Sequence, residues 1–334
     1  MGDGPDRVRR DAASLNDAAR RFVAPGVAAA AKGESVRAGR RFIHGGAVDS
    51  RRVEPGNVFF AMPGEHTDGH RVLEAAVEAG AAAIVVTERL EGTRLEALGA
   101  PAEVTVVHVA DAGAALRAVA AEYRDRFEPL VIGITGSLAK TSTKEQVAEI
   151  LSERLAVLRN PANWNNEIGL PLTLLQLRPE HEAAVLEMGL YTTGEIALLA
   201  RLARPRIGVV TAVRGVHLSR AGSIEAIEAG KRELVEALPA DGWAILNADD
   251  ARVAGMAGHT AASVRTYGFA ADADVRATDI VSLGANGMRF TLHAGGEERE
   301  VGTPVLGRHG VHNALAAVAE RAGLAIDDIV RGLG

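Results

Sequence analysis

Short apolar runs alternate with amphipathic stretches along most of this chain, and that rhythm predicts an α/β fold. Ala83-Ile-Val-Val86 and Val104-Thr-Val-Val-His-Val109 are apolar runs of strand length. So are Leu130-Val-Ile-Gly-Ile134, Ala183-Ala-Val-Leu-Glu187, Ile207-Gly-Val-Val-Thr211 and Trp243-Ala-Ile-Leu-Asn247. Runs this continuous suit parallel strands covered on both faces. Segments with helical spacing separate or follow them, at 71–80, 111–126, 144–155, 194–203, 223–238 and 310–322. Residues 14–23 read as a short capped helix. Residues 41–44, 47–50 and 58–62 read as strand segments, with Pro55-Gly56 as a turn. Residues 263–305 carry shorter alternating segments, such as Met288-Arg-Phe-Thr-Leu-His293, and predict an antiparallel appendage.

The order of these elements suggests a boundary at Glu128-Pro129. It predicts a small α/β domain over 1–127 and a second domain over 128–334. The second would hold a mainly parallel sheet wound with helices. A chain of 334 residues is long enough for two separate cores.

Composition removes several function classes. Net charge is −6 and aromatic residues are 4%, which speaks against nucleic acid and membrane surfaces as partners. There is no cysteine, so disulfides, thiolate zinc sites and cysteine nucleophiles are excluded. The first 21 residues are polar and arginine-rich, without an apolar signal core. No apolar run approaches membrane-spanning length, and a cytoplasmic monomer is the expectation.

Thirty-seven cationic side chains include only four lysines: Lys32, Lys140, Lys144 and Lys231. A chain that writes arginine wherever a cation suffices marks its lysines as informative. Two of them lie in Gly133-Ile134-Thr135-Gly136-Ser137-Leu138-Ala139-Lys140-Thr141-Ser142-Thr143-Lys144. An apolar strand runs into this segment and a helix leaves it, which is the context of a phosphate-binding loop. Lys140 would then be a compact charge on the terminal phosphates and Thr141 a magnesium ligand. The plainer alternative is a strand-to-helix turn with Lys140 facing solvent.

Other candidates sit where strands of a wound sheet end and ligands gather. Glu187 closes one strand, and a carboxylate there can hold a nucleotide's magnesium. His217 follows another strand. Lys231 lies on a helix beside Arg232; its amine can form a carbamate with carbon dioxide, which a guanidinium cannot do. Asn247-Ala-Asp-Asp250 and the stretch from Gly307 through Arg308 and Asn313 to Ala317 suit contacts to a nucleotide base or ribose. Each also has a structural alternative: a strand-end acid, a loop histidine, a surface lysine, a turn or a helix cap.

Taken together these segments resemble the Mur ligases, the ATP-dependent amide-forming enzymes of peptidoglycan synthesis, over nearly the whole chain. Val48-Asp-Ser-Arg51, Pro55-Gly-Asn-Val-Phe-Phe-Ala61 and Asp68-Gly-His70 resemble the family's UDP-sugar domain. Asn163-Trp-Asn-Asn-Glu-Ile-Gly-Leu-Pro-Leu-Thr-Leu-Leu175 and Glu187-Met-Gly-Leu-Tyr-Thr-Thr-Gly-Glu-Ile196 resemble the branch that adds D-alanyl-D-alanine. The resemblance implies that Thr135, Gly136, Ser137, Leu138, Ala139, Lys140, Thr141 and Ser142 hold ATP, together with Asn247, Arg308 and Asn313. It implies one Mg2+ on Thr141 and Glu187, and a second on His217 and a carbamylated Lys231. Lys140, Glu187, His217 and Lys231 would form the catalytic set. Ser50, Arg51, Asp68, Gly69, His70, Asn163, Asn165 and Asn166 would bind UDP-N-acetylmuramoyl-tripeptide. Lys144 is expected to matter less than Lys231.

The sequence departs from the family's pattern at four places. Ala139 replaces a glycine, Ala212 an asparagine, Arg214 a glycine and Gly310 an asparagine. Family members also continue into a third domain, and the chain is expected to lack it. Two other readings stay open: a non-catalytic nucleotide-sugar-binding relative, and a sibling Mur ligase or folylpolyglutamate-type synthetase.

Overall fold

The computed structural model describes residues 22–64, 68–92, 96, 98, 103–215, 222–320 and 326–333. Two compact units divide them. One ends at Glu128 and also takes Glu167–Glu180; the other spans Pro129–Asn166 and resumes at His181. The boundary read at 127/128 does not anticipate the Glu167–Glu180 excursion. That segment carries a short helix, Gly169–Leu174, whose residues are all buried. Tyr123 donates its hydroxyl to Leu177 O at 3.0 Å, and Leu175 packs where a Cβ on Gly46 would sit. The segment completes the core of a unit that the chain left about forty residues earlier, a long-range fact that local periodicity does not encode.

The first unit holds a five-stranded sheet. Its strands are β1 (Glu34–Arg37), β2 (Gly46–Ala47), β3 (Val58–Phe60), β4 (Ala83–Val86) and β5 (Thr105–His108), in the order β1-β5-β4-β3-β2. All neighbours run parallel except β1 against β5. Strands β3 and β4 are buried throughout, which is why they read as unbroken apolar runs. Strand β1 is polar and lies at the edge, so its sequence carried no such signal. The strand expected at 41–44 reduces to one bridge between Val23 and Phe42. Of the helix expected at 14–23, residues 14–21 lie outside the described residues. The helix Ala24–Ala31 was not anticipated; it has proline in its first turn.

The second unit holds a nine-stranded sheet: β6 (Leu130–Thr135), β7 (Val157–Arg159), β8 (Ala183–Glu187), β9 (Ile207–Val210), β10 (Trp243–Asn247), β11 (Ser263–Gly268), β12 (Val275–Ser282), β13 (Met288–Ala294) and β14 (Glu297–Thr303). Their order is β14-β13-β12-β11-β10-β9-β6-β8-β7. From β7 through β12 every neighbouring pair is parallel; β12, β13 and β14 are antiparallel. The antiparallel appendage expected over 263–305 therefore begins later, because β11 joins the parallel set. After β6 the chain builds β7 and β8 on one side, then β9, β10 and β11 on the other. The order reverses beside β6, and in wound sheets ligands gather at the carboxyl ends of the strands at such a switch point.

The helix after the glycine loop spans Lys140–Ser152, four residues earlier than its expected start at 144. Its first turn, Lys-Thr-Ser-Thr, is polar and lacks the apolar spacing of the rest. The last long helix begins at Gly307; residues 321 and 322 of the expected 310–322 lie outside the described residues. Among the described residues no helix is long and apolar enough to cross a membrane.

Candidate active site

The loop Gly136–Ala139 carries the chain from β6 into the Lys140–Ser152 helix. Gly136 has φ +153°, and a Cβ there would fall 1.8 Å from Thr211 Oγ1. Thr211 in turn donates its hydroxyl to Leu138 O at 2.6 Å. Ser137 N–H donates to Ala212 O at 2.7 Å. Thr135 Oγ1 donates to Met188 O at 2.9 Å. The loop is thus bolted to the segments after β8 and β9, with helical N–H groups open at its end. An open helix N-terminus behind a rigid glycine turn is suited to phosphate. Ala139 enters the helix in the left-handed region, with φ +64°. An L residue there is strained, so Ala139→Gly is expected to raise stability by about 0.5–1 kcal/mol after the entropy of glycine is deducted. Chemical denaturation of the two proteins checks this.

Lys140 and Thr141 form the first turn of that helix. Thr141 Oγ1 donates to Glu187 Oε2 at 2.7 Å. Glu187 ends β8 and is almost fully buried. Asn165 Nδ2 donates to its other oxygen at 2.7 Å, and Asn160 Oδ1 accepts the Glu187 N–H at 2.9 Å. Asn160 Nδ2 also donates to Trp164 O and Glu187 O, at 2.9 and 3.1 Å. The carboxylate is therefore held in one orientation beside a hydroxyl. Two hard oxygen ligands at the end of a phosphate loop fit a magnesium ion.

Lys231 is buried on the helix Ile224–Glu236. That helix lies close against the sheet: a Cβ on Gly208 would come within 3.2 Å of Leu234 and Leu238. Burial, and then the charge of Lys140, lower the Lys231 ammonium to a pKa of about 7. Burial also lowers Lys140, and Glu187 opposes that shift. The structure thus gathers two desolvated amines and one carboxylate around the loop. His217 lies outside the described residues.

Residues 134–320 match the model of the Mur ligase middle domain, and residues 42–124 match that of the Mur ligase family catalytic domain. The chain belongs to the Mur ligase family. It is 37% identical over 293 residues to the UDP-N-acetylmuramoyl-tripeptide--D-alanyl-D-alanine ligase of Bacillus subtilis, covering 87% of this chain and 61% of that protein. It is similar to the crystal structure of MurF from Acinetobacter baumannii, with a TM-score of 0.82 and 30% identity over 93% of this chain and 67% of that one. The MurF ligase of Thermotoga maritima in complex with ADP matches with a TM-score of 0.74 and 26% identity, over 86% of this chain and 65% of that one. The chain spans about 60% of the length of the curated Mur ligases it matches.

Other candidate residues of this Mur ligase chain stand as follows. Asn247 Nδ2 donates to Thr211 O at 2.7 Å, and its Oδ1 accepts Asp249 N–H at 2.9 Å. It ties the end of β10 to that of β9. Asn165 orients Glu187, as above; Asn163 is exposed. Arg308 is exposed and stacks on Phe269 at 4.6 Å, while His312 packs edge-on to the same ring. Asn313 is buried on the same helix.

In the first unit, Ser50 and Arg51 open a single turn capped by Asp49. Asp49 grips the Arg51 guanidinium at 2.9 and 2.7 Å and leaves its side chain 87% exposed. Asp68 accepts from His70 N–H at 2.9 Å and pairs with His70 Nδ1 at 2.7 Å. His70 Nε2 accepts Thr87 N–H at 3.0 Å, so Nδ1 carries the proton. Gly69 allows the turn to lie against Ala61 and Met62. Asp68, His70 and Glu88 place ligand atoms within 4.8 Å of one another. Both ring nitrogens of His70 are already engaged, which leaves no lone pair for a metal.

Lys144 holds the site's framework. It is 0% exposed; its ammonium donates to Asn160 O at 2.7 Å and pairs with Glu145 at 2.8 Å. It fixes the asparagine that fixes Glu187. The scarcity of lysine was the signal available for it. Lys144→Ala is expected to lower the unfolding free energy by about 2–3 kcal/mol, the scale for losing a charged hydrogen bond to a buried carbonyl. Urea denaturation measures this.

Proposed function

We propose that this chain works in an ATP-dependent ligase that joins D-alanyl-D-alanine to UDP-N-acetylmuramoyl-tripeptide in the cytoplasm. The carrying observation is the meeting of Thr141 and Glu187, 2.7 Å apart, beside Lys140 at the crevice of the wound sheet. The similarity to MurF ligases over most of the chain supports the choice of substrates.

Lys140 and the loop N–H groups hold the β- and γ-phosphates of ATP. A magnesium ion on Thr141 and Glu187 would neutralise charge between them. At a pKa of about 7, Lys231 supplies a neutral amine at physiological pH. That amine adds to carbon dioxide and loses a proton, giving a carbamate that would hold a second ion together with His217. The tripeptide carboxylate attacks the γ-phosphorus and releases ADP. The dipeptide amine then attacks the resulting acyl phosphate, and phosphate leaves as the amide forms. Fixed cations matter because two anions must approach before a loose phosphoryl transition state.

The test incubates the chain with Mg-ATP, UDP-N-acetylmuramoyl-tripeptide and D-alanyl-D-alanine. It is run with and without the third domain that the resemblance implies. Mass spectrometry should find UDP-N-acetylmuramoyl-pentapeptide, with ADP and phosphate formed in equal amounts. No pentapeptide in either arm, and no ATP binding by calorimetry, would overturn the proposal.

A further inference from the structure

We propose that Arg214 is an additional cation for the nucleotide's phosphate chain, preset by its bond to Asp250; this rests on the ATP site proposed above. The resemblance puts a glycine at this position, so the cation is a feature of this chain. Strand β9 lies between β6 and β10, and Arg214 follows β9. It therefore stands between the phosphate loop after β6 and the Asn247–Asp250 turn after β10.

Both neighbours grip it. Arg214 N–H donates to Ser137 Oγ at 2.9 Å, and that hydroxyl donates back to Arg214 O at 3.0 Å. Its backbone is thereby fixed on the loop that would carry the phosphates. Its Nη1 donates to Val213 O at 2.9 Å and to Asp250 Oδ2 at 2.5 Å. Asp250 is buried and held in turn by the N–H groups of Val213, at 2.9 Å, and Arg252, at 3.1 Å. Among the described residues Nε and Nη2 have no hydrogen-bond partner, and the side chain is 53% exposed.

A guanidinium has a planar array of donors. When a buried carboxylate holds one part, most of the rotamer entropy is already lost before a ligand arrives. The remaining N–H groups match the oxygens of a phosphate. A lone surface arginine would lack that preorganisation.

The experiment titrates Mg-ATP and inorganic tripolyphosphate into wild type, Arg214→Gln and Arg214→Lys by calorimetry at several salt concentrations. Arg214→Gln is expected to weaken both ligands by about ten-fold, the scale of one charge-assisted hydrogen bond, and to flatten the dependence of affinity on salt. Arg214→Lys should fall between, because the charge survives and the fork does not. Circular dichroism checks that the variants fold; if Arg214→Gln does not, Arg214→Lys is decisive by itself. Unchanged affinities for both ligands would overturn the proposal. So would a loss for ATP with tripolyphosphate and salt dependence unmoved, since Arg214 would then only shape the turn. A wild type that binds no nucleotide would instead sink the ATP site itself.

Discussion

Lys231→Met is expected to abolish ligation and at the same time to make the protein more stable at pH 7. Methionine keeps the length of the stem and removes the buried amine. In the folded chain that amine has a pKa of about 7, against 10.5 for a free lysine. Burial is the main cause, with the Lys140 charge adding to it. Between those two values the unfolded state binds more protons than the folded state, so wild-type stability rises with pH across that window. As pH falls through the window that stability is lost, and the loss is complete below about 7. At pH 7 the variant should therefore gain about 3 kcal/mol, a figure set by the shift at 1.36 kcal/mol per unit and discounted for residual solvation. The gain should shrink toward zero by pH 10.5. Urea unfolding in carbon-dioxide-free buffer from pH 6 to 10 measures it. An equal difference at every pH would mean that the amine is not desolvated. Lys231→Arg should lose ligation as well, because a guanidinium cannot form the carbamate; an active arginine variant would remove the carbamate from the mechanism.

Glu187→Gln is expected to separate magnesium from nucleotide. The amide keeps the size of the side chain but loses the charge and one of two acceptor oxygens. Asn165 Nδ2 and Thr141 Oγ1 both donate to this carboxylate, so one donor must reorganise. In wild type, magnesium should tighten ATP binding; in the variant that gain should fall by about 100-fold, the scale for removing one preorganised charge from a phosphoryl-transfer site. The Lys140 ammonium should also drop further in pKa, since Glu187 is what opposes its desolvation. Calorimetry with and without magnesium, and NMR titration of the lysine ammonium, read the two effects. An undiminished magnesium response would remove Glu187 from the metal site.

Much of the fold was legible because parallel strands covered on both faces leave an unmistakable trace. Ala83–Val86, Ala183–Glu187 and Trp243–Asn247 begin and end where their apolar runs do. The polar edge strand Glu34–Arg37, with no buried residue, leaves no such trace. The helix begins at Lys140, before its apolar spacing does, because its first turn is Lys-Thr-Ser-Thr, which favours loops unless a ligand or a neighbouring strand end holds it.

The candidate site divides in the same way. Glycine spacing, strand context and the rarity of lysine single out Lys140, Thr141, Lys144 and Lys231 as candidates in the linear chain. What those residues touch is another matter. Glu187 meets Thr141 across 46 positions, Arg214 meets Ser137 across 77, and Glu167–Glu180 joins a core begun before Glu128. Such pairings follow from the order in which strands assemble and from buried polar groups seeking partners. One-dimensional periodicity records burial and local turns; only the folded sheet decides which loop ends face one another.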